Sequence, residues 1–104
     1  MLLTTTENIP GKKIEVMGLV KGSTVQCKNI GRDIGASFKN LLGGEIKSYT
    51  DMMNEARSVA TNRMIEEAKN MGADAIVCVR YSSSSIMQGA AEIIAFGTAV
   101  SYID

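Results

Sequence analysis

The stretch from Gly43 to Val77 constrains the fold more than any other part of this chain. Within it, residues 49–71 carry apolar side chains at helical spacing, and Gly72 stands where a glycine commonly ends a helix. The segment at 75–81 follows at once and predicts a buried strand that reaches its polar end at Arg80. A helix of that length spans about 35 Å, whereas a compact domain of this size has a radius of gyration of about 13 Å. We therefore expect the helix to lie across a sheet or to extend toward a neighbouring subunit.

The remaining segments predict strands at both ends of the chain. Residues 13–27 alternate in hydropathy as a strand does, and Ser48 and Asp51 have the spacing of a capping box at the start of the long helix. The other predicted elements are a β-prone segment at 2–6, a turn at 8–12, a helix at 30–42, a loop at 82–91 that contains a serine run, and a final strand at 92–103. The order β-β-α-α-β-β predicts a single α+β domain over residues 1–104, with helices on one face of a small, largely antiparallel sheet.

The strand at 13–27 contains two informative glycines, Gly18 and Gly22. Glycine inside a strand marks a bulge, a bend or a close approach of another backbone, so we expect such an irregularity here. Simple alternation also places four residues on one side of this strand: Ile14, Val16, Gly18 and Val20.

The composition argues against several classes of function. Lys plus Arg number 11 and Asp plus Glu number 11, so the chain lacks the overall basic field on which nucleic-acid binding depends. Two Phe, three Tyr and no Trp leave few rings for stacking on bases. The absence of His removes the commonest general base and the commonest metal ligand. We therefore expect neither a nucleic-acid-binding protein nor an enzyme.

The patterning of apolar residues predicts a cytoplasmic protein that does not bind membranes. The apolar segments at 75–79 and 90–100 are too short to span a bilayer. The first ten residues lack the basic and apolar regions of a signal peptide. In that compartment the two cysteines are expected to be free thiols rather than a disulfide.

Cys27 and Cys78 are the only thiols, and they are the candidate metal ligands. Thiolates, together with methionine thioethers, suit Cu(I) or a similar soft ion. The alternative is structural: Cys78 would be a small apolar residue in a buried strand, and Cys27 a thiol at the end of a strand. The two cysteines do not have CxxC spacing, so a site formed by both within one subunit has weak support. A site shared between subunits stays open.

Several other groups of residues have both a structural and a functional interpretation. Ser82–Ser85 form either a solvated loop, which is favoured, or an anion site. Arg32 and Asp33 form either a solvated helix start, which is favoured, or a polar loop pair or a contact between subunits. Thr4–Thr6 lie either on an ordinary edge strand or in the lumen of a ring. Four methionines lie on the apolar stripe of the long helix, where packing is the favoured role: Met52, Met53, Met64 and Met71.

A set of short pieces, in the same order and at similar spacing, resembles the YbjQ-type family. The pieces are TTT (4–6), NIGRDIGAS (29–37), GG (43–44), SY (48–49), EAR (55–57), GADAIV (72–77) and GTAV (97–100). The resemblance covers almost the whole chain, and the family is named for heavy-metal binding. It implies a small α+β subunit similar to that of dodecin, assembly into a ring that is typically a homopentamer, and no established enzyme activity.

The chain also departs from the family pattern at three places. Family members commonly have Gly where Cys78 stands, and acidic residues around Arg80 and Ser82. After the glycine pair, Glu45 replaces the usual basic residue. A carboxylate cluster for a cation is therefore absent from this stretch, and the transfer of a shared ligand site is weakened.

Together these observations predict a non-enzymatic, cytoplasmic homo-oligomer, a pentamer by resemblance. A soft metal ion bound through Cys27 and Cys78 is the first hypothesis for its ligand. The alternative is a carrier that holds a small molecule at subunit interfaces. An enzyme is the least favoured hypothesis, because the usual acid–base residues are missing.

Overall fold

The computed structural model describes residues 1–27 and 44–103, with side chains in the second range from Tyr49 onward. Its elements are β1 (Leu2–Leu3), β2 (Lys13–Cys27), α1 (Gly44–Asn70), β3 (Ala75–Met87) and β4 (Ala90–Ile103). The four strands form one sheet in the order β1-β3-β4-β2. β1 runs parallel to β3, and the other neighbouring pairs are antiparallel. The predicted α+β fold with a largely antiparallel sheet is confirmed, whereas the helix predicted at 30–42 lies outside the described residues.

β2 has the bounds that its alternation predicts, but a bulge changes which side chains share a face. The register with β4 shifts between Val16 and Gly18, and Gly18 has a φ of 150°. Val20 is fully buried in the cluster that contains the helix, whereas Val16 is 69% exposed. The expected irregularity at Gly18 is confirmed. The prediction that Val16 and Val20 share a side is wrong, because the extra residue of the bulge reverses the alternation.

The long helix begins earlier than predicted and ends where predicted. α1 has 27 residues and begins at Gly44, so the prediction of a start at the capping-box spacing of Ser48 and Asp51 is wrong. A capping box acts only where the first residue is non-helical, and here the preceding turn is already helical. At the other end Gly72 has a φ of 82°, and the N–H of Ala73 donates to the carbonyl of Ala68 at 3.0 Å. This geometry is that of a helix terminated by glycine.

β3 and β4 form a long hairpin where the sequence predicts a loop. β3 continues through the serine run to Met87, β4 begins at Ala90, and Gly89 in the connecting turn has a φ of 79°. Serine is a weak predictor of strand by itself, but pairing with β4 continues all along the run. The predicted loop at 82–91 is therefore wrong except at the turn.

Each face of the sheet carries its own apolar cluster. The larger cluster joins the sheet to four residues of α1: Ala56, Ala60, Met64 and Ala68. The smaller cluster contains Ile9 of the N-terminal segment and three strand residues: Ala75, Val77 and Val100. Because Val100 alternates with Ala99 of the larger cluster, the smaller cluster lies on the sheet face opposite α1. We call this the open face.

Gly22 is the point at which β2 and α1 come closest. A Cβ atom there would overlap the main-chain oxygen of Ala60 and the main-chain nitrogen of Met64, and it would lie 2.8 Å from Cβ of Arg63. The guanidinium of Arg63 in turn donates to the carbonyl of Ser23 at 2.6 Å. The close backbone approach expected for Gly22 is thus confirmed, and it brings the small residues of the helix onto the sheet.

Candidate functional site

The two candidate metal ligands lie far apart in the sheet. Cys27 is exposed and stands opposite Ala90, at the end formed by the hairpin turn. Cys78 is half-buried and lies in the bulge of β3 across from Gly97. The seven steps along β4 from Ala90 to Gly97 correspond to about 24 Å at the rise of an antiparallel strand. The two thiols of one subunit therefore cannot bind one ion together, and their joint role as ligands stays a prediction that requires two subunits.

Cys78 occupies a backbone conformation that favours glycine. Its φ is 56°, and the register between β3 and β4 shifts between Val77 and Arg80. A left-handed residue in a bulge of this kind is usually glycine, because a Cβ atom is strained there. The N–H of Cys78 donates to the carbonyl of Thr6 at 3.1 Å, and its side chain packs against the smaller cluster. These contacts give Cys78 a structural role in joining the N-terminal segment to β3.

The three N-terminal threonines form local hydrogen bonds beside this bulge. The hydroxyls of Thr4 and Thr6 lie 2.8 Å apart, and that of Thr6 also donates to the carbonyl of Asn8 at 2.7 Å. Nη1 of Arg80 donates to the carbonyl of Thr5 at 3.2 Å. The hydroxyls and the guanidinium thus hold the segment that covers one end of the open face. The placement of these threonines in a ring lumen stays a prediction.

A shallow groove lies between the first turns of α1 and the hairpin. Its volume is about 270 Å³, below the usual range of about 300–1,000 Å³ for ligand pockets. Tyr49 and Met53 line it on the helix side, and Ser83–Ser85, Ala90 and Ala91 line it on the sheet side. The serine run therefore lines the groove from a strand rather than from the predicted loop.

The methionines of the helix serve mainly in packing. Met64 is fully buried, and Met53 packs against the larger cluster. Met71, at the end of the stripe, is 38% exposed, so the stripe is not buried along its whole length. Met87 lies outside the stripe and is 65% exposed, which apolar packing does not explain.

Apolar side chains are exposed on the open face, near the middle of β2 and β4. Leu19 is 66% exposed and Phe96 is 36% exposed. Phe96 stands opposite Lys21, and Leu19 precedes Lys21 by two residues, so all three side chains lie on the same face. Val16 continues this surface beyond the bulge. We call Val16, Leu19 and Phe96 the open-face patch.

The donor set of the described residues suits a soft ion better than a hard one. Within residues 1–27 and 44–103, no three His, Cys, Asp or Glu side chains are grouped closely enough to hold a metal ion. Structural zinc sites use about four such ligands, so this part of the chain offers no zinc site of that kind. The soft donors are the two thiols and the thioethers of methionine.

Comparison with known proteins connects this geometry to a family. The sequence profile of the YbjQ-type family, described as "Putative heavy-metal-binding", matches residues 1–103. The chain belongs to this family. A UPF0145 protein of Clostridium perfringens is 63% identical over 105 residues, which cover 100% of this chain and 99% of the relative. A UPF0145 protein of Thermotoga maritima is 57% identical over 101 residues, which cover 96% and 95% of the two chains.

A solved structure of the DUF74 family supports the fold of this YbjQ-type chain. It is a protein of unknown function from Pediococcus pentosaceus, with a TM-score of 0.66, 16% sequence identity, and coverage of 99% of this chain and 98% of that one. At that identity the likeness concerns the fold alone. The two UPF0145 relatives have no enzymatic name. Within the described residues, no helix has the length and hydropathy needed to cross a bilayer.

Proposed function

We propose that this YbjQ-type chain is a cytoplasmic, non-enzymatic subunit of a homo-oligomer that binds a soft metal ion through cysteine thiolates. The observation that carries the proposal is the open face of the sheet. This face presents both an apolar surface, the open-face patch, and the exposed thiol of Cys27. The description of the family as heavy-metal-binding agrees with the soft donors of the chain.

A second copy of the chain is the occupant that we propose for the open-face patch. The chain is elongated, with principal extents of 60 × 22 × 17 Å and a radius of gyration of 17.6 Å, against about 13 Å for a compact domain of this length. Such a shape exposes much surface for its volume. The formal net charge is zero, so copies do not repel one another through a net charge. Association would remove apolar area from water at about 25 cal/mol per Å².

The mass of the protein in solution tests the assembly. Light scattering of the wild type should give a multiple of 11.1 kDa, a fivefold multiple if the ring is a pentamer. Leu19→Lys, which adds a charge to the open-face patch, should lower that mass. Lys21→Gln, on the same face, removes a charge and serves as the control that should keep it. A wild type that stays at the mass of one chain at micromolar concentration would disprove the assembly.

Native mass spectrometry of the reduced protein with Cu(I) or Ag(I) tests the metal site. Cys27→Ser should lose the bound ion. Cys78→Ser tests sharing between subunits, since it should lose the ion only if both thiols bind it. Equal binding by Cys27→Ser and the wild type would exclude the Cys27 site.

The groove beside the serine run favours one alternative function, a carrier of a small molecule. Its lining combines serine residues with Tyr49 and Met53, which suits a small ligand with an apolar body and a polar edge. In an oligomer, a neighbouring subunit would have to enlarge this groove to a usual ligand volume. A ligand that absorbs light and co-purifies with the protein would support the carrier, and a preparation free of ligand would argue against it.

A further inference from the structure

Cys27 has a second sulfur-bearing side chain beside it on the open face. In the register of the sheet, Ala90 stands opposite Cys27 on β2 and opposite Met87 on β3. Directly opposed residues of antiparallel strands point to the same face. Cys27, Ala90 and Met87 therefore form one row across three strands, in which the two outer side chains carry sulfur and the middle one is a methyl group.

The dimensions of this row allow both sulfurs to bind one ion. Opposed Cα atoms lie about 4.5–5.5 Å apart in an antiparallel pair, so the outer Cα atoms are about 9–11 Å apart. Two metal–sulfur bonds of the length found for zinc thiolates, about 2.3 Å, would bring the sulfurs within about 4.6 Å of each other. The residue between them, Ala90, is 4% exposed and carries only a methyl group. The thioether of Met87 adapts through three rotatable bonds.

A bulge in β3 brings Met87 into this row. Ser85 stands opposite Ala91 and Met87 opposite Ala90, so Ile86 is the extra residue. In a regular ladder Ile86 would face Ala90. Bulges of this kind redirect a side chain. Met87 is 65% exposed and Cys27 is exposed, so neither residue is buried in the subunit.

We propose that the thiolate of Cys27 and the thioether of Met87 together bind a monovalent soft cation of the Cu(I) or Ag(I) class at the hairpin end of the open face. Thiolate and thioether ligands select such ions, and two ligands agree with the absence of any group of three His, Cys, Asp or Glu in the part of the chain that the structure describes. Binding breaks the S–H bond of Cys27, forms two metal–sulfur bonds and releases one proton to solvent; no electron is transferred. This inference rests on the proposed soft-metal function and specifies the ligands of its site.

The direct test is NMR of the assembled, reduced protein labelled at the methionine methyl groups. The chain has seven methionines, and one equivalent of Ag(I) should shift the methyl signal of Met87 and leave that of Met71 in place. In a competition with a chromophoric Cu(I) chelator, Met87→Leu should weaken Cu(I) binding at least tenfold. Met71→Leu, at an exposed methionine on the helix, is the matched control and should bind as the wild type does.

The outcomes separate this inference from the proposed function. If Met87→Leu binds Cu(I) as tightly as the wild type while Cys27→Ser does not, the role of Met87 is refuted and the thiol site stands. An unshifted Met87 methyl signal at saturation with Ag(I) also refutes it. If Cys27→Ser retains wild-type affinity, the thiol site itself is refuted. A shift of the Met87 signal that Cys27→Ser abolishes would support the two-ligand site.

Discussion

Replacing Gly22 with alanine is the sharpest test of how this fold is held together. The added methyl group would overlap main-chain atoms of Ala60 and Met64. A side chain could rotate away, but these atoms belong to the helix backbone, so α1 must move off the sheet or β2 must bend. Overpacking of a core costs about 1–3 kcal/mol, and the rigid neighbours place this case near 3 kcal/mol. A domain of this length has a total stability of about 5–15 kcal/mol, so the loss is a large part of it.

Urea denaturation followed by circular dichroism measures the cost of this substitution. The free energy of unfolding is extrapolated linearly to zero urea, and the protomer concentration is held constant because assembly would otherwise change the midpoint. A loss near 3 kcal/mol corresponds to a fall in Tm of about 12–24 °C, at about 4–8 °C per kcal/mol. The slope with urea should stay that of the wild type, since the surface exposed on unfolding is nearly the same.

Two further variants allow the loss of stability to be ranked across three substitutions. At Gly97 a Cβ atom would lie 2.7 Å from Cγ2 of Ile76 and 3.0 Å from the carbonyl oxygen of Val77. Both distances are longer than the main-chain overlaps at Gly22, so Gly97→Ala should cost less, about 1–2 kcal/mol. Ser23 follows Gly22, and its side chain lies on the open face. The free energy of unfolding of Ser23→Ala should therefore stay within about 0.5 kcal/mol of that of the wild type. A Gly22→Ala variant as stable as Ser23→Ala would refute the overlap at Gly22, and so would a Gly97→Ala variant less stable than Gly22→Ala.

Two other predictions concern backbone conformation without crowding. Gly72 has a φ of 82° and no atom within 4 Å of a Cβ position, so Gly72→Ala should destabilise by about 1 kcal/mol through strain alone; a neutral effect in urea denaturation would contradict this. At Cys78, where φ is 56°, the glycine variant should be more stable than the alanine variant by about 1 kcal/mol, because only glycine is unstrained there. Thermal denaturation of the two variants checks this prediction. The order usual within a strand, in which the alanine variant is more stable than the glycine variant, would falsify it.

The features that could be predicted from the sequence are those that a single segment determines. The apolar stripe of α1, its stop at Gly72 and the bounds of β2 each follow from spacing within one element. The close approach at Gly22 could be expected because glycine without a turn context has few other roles in a strand. The start of α1 could not be predicted in the same way, because a capping box resembles an ordinary helical sequence unless the preceding backbone is known.

The features that could not be predicted depend on pairing between segments. The serine run has the composition of a loop, and only its partner strand makes it part of β3. The bulge at Cys78 is likewise invisible in a run of apolar residues. Bulges add residues to one strand only, so alternation counted along the chain gives the wrong face beyond each of them.

The candidate site shows the same dependence on register most clearly. The sequence identifies Cys27 as a soft ligand, but Met87 is distant from it along the chain and falls within a segment predicted to be a loop. Only the pairing of both residues with Ala90 makes them neighbours. With a regular ladder in place of the bulge in β3, Ile86 would occupy the position opposite Ala90 and Met87 would move into the turn. An isoleucine would then complete the row with Cys27, and the open face would have no second sulfur for a metal ion.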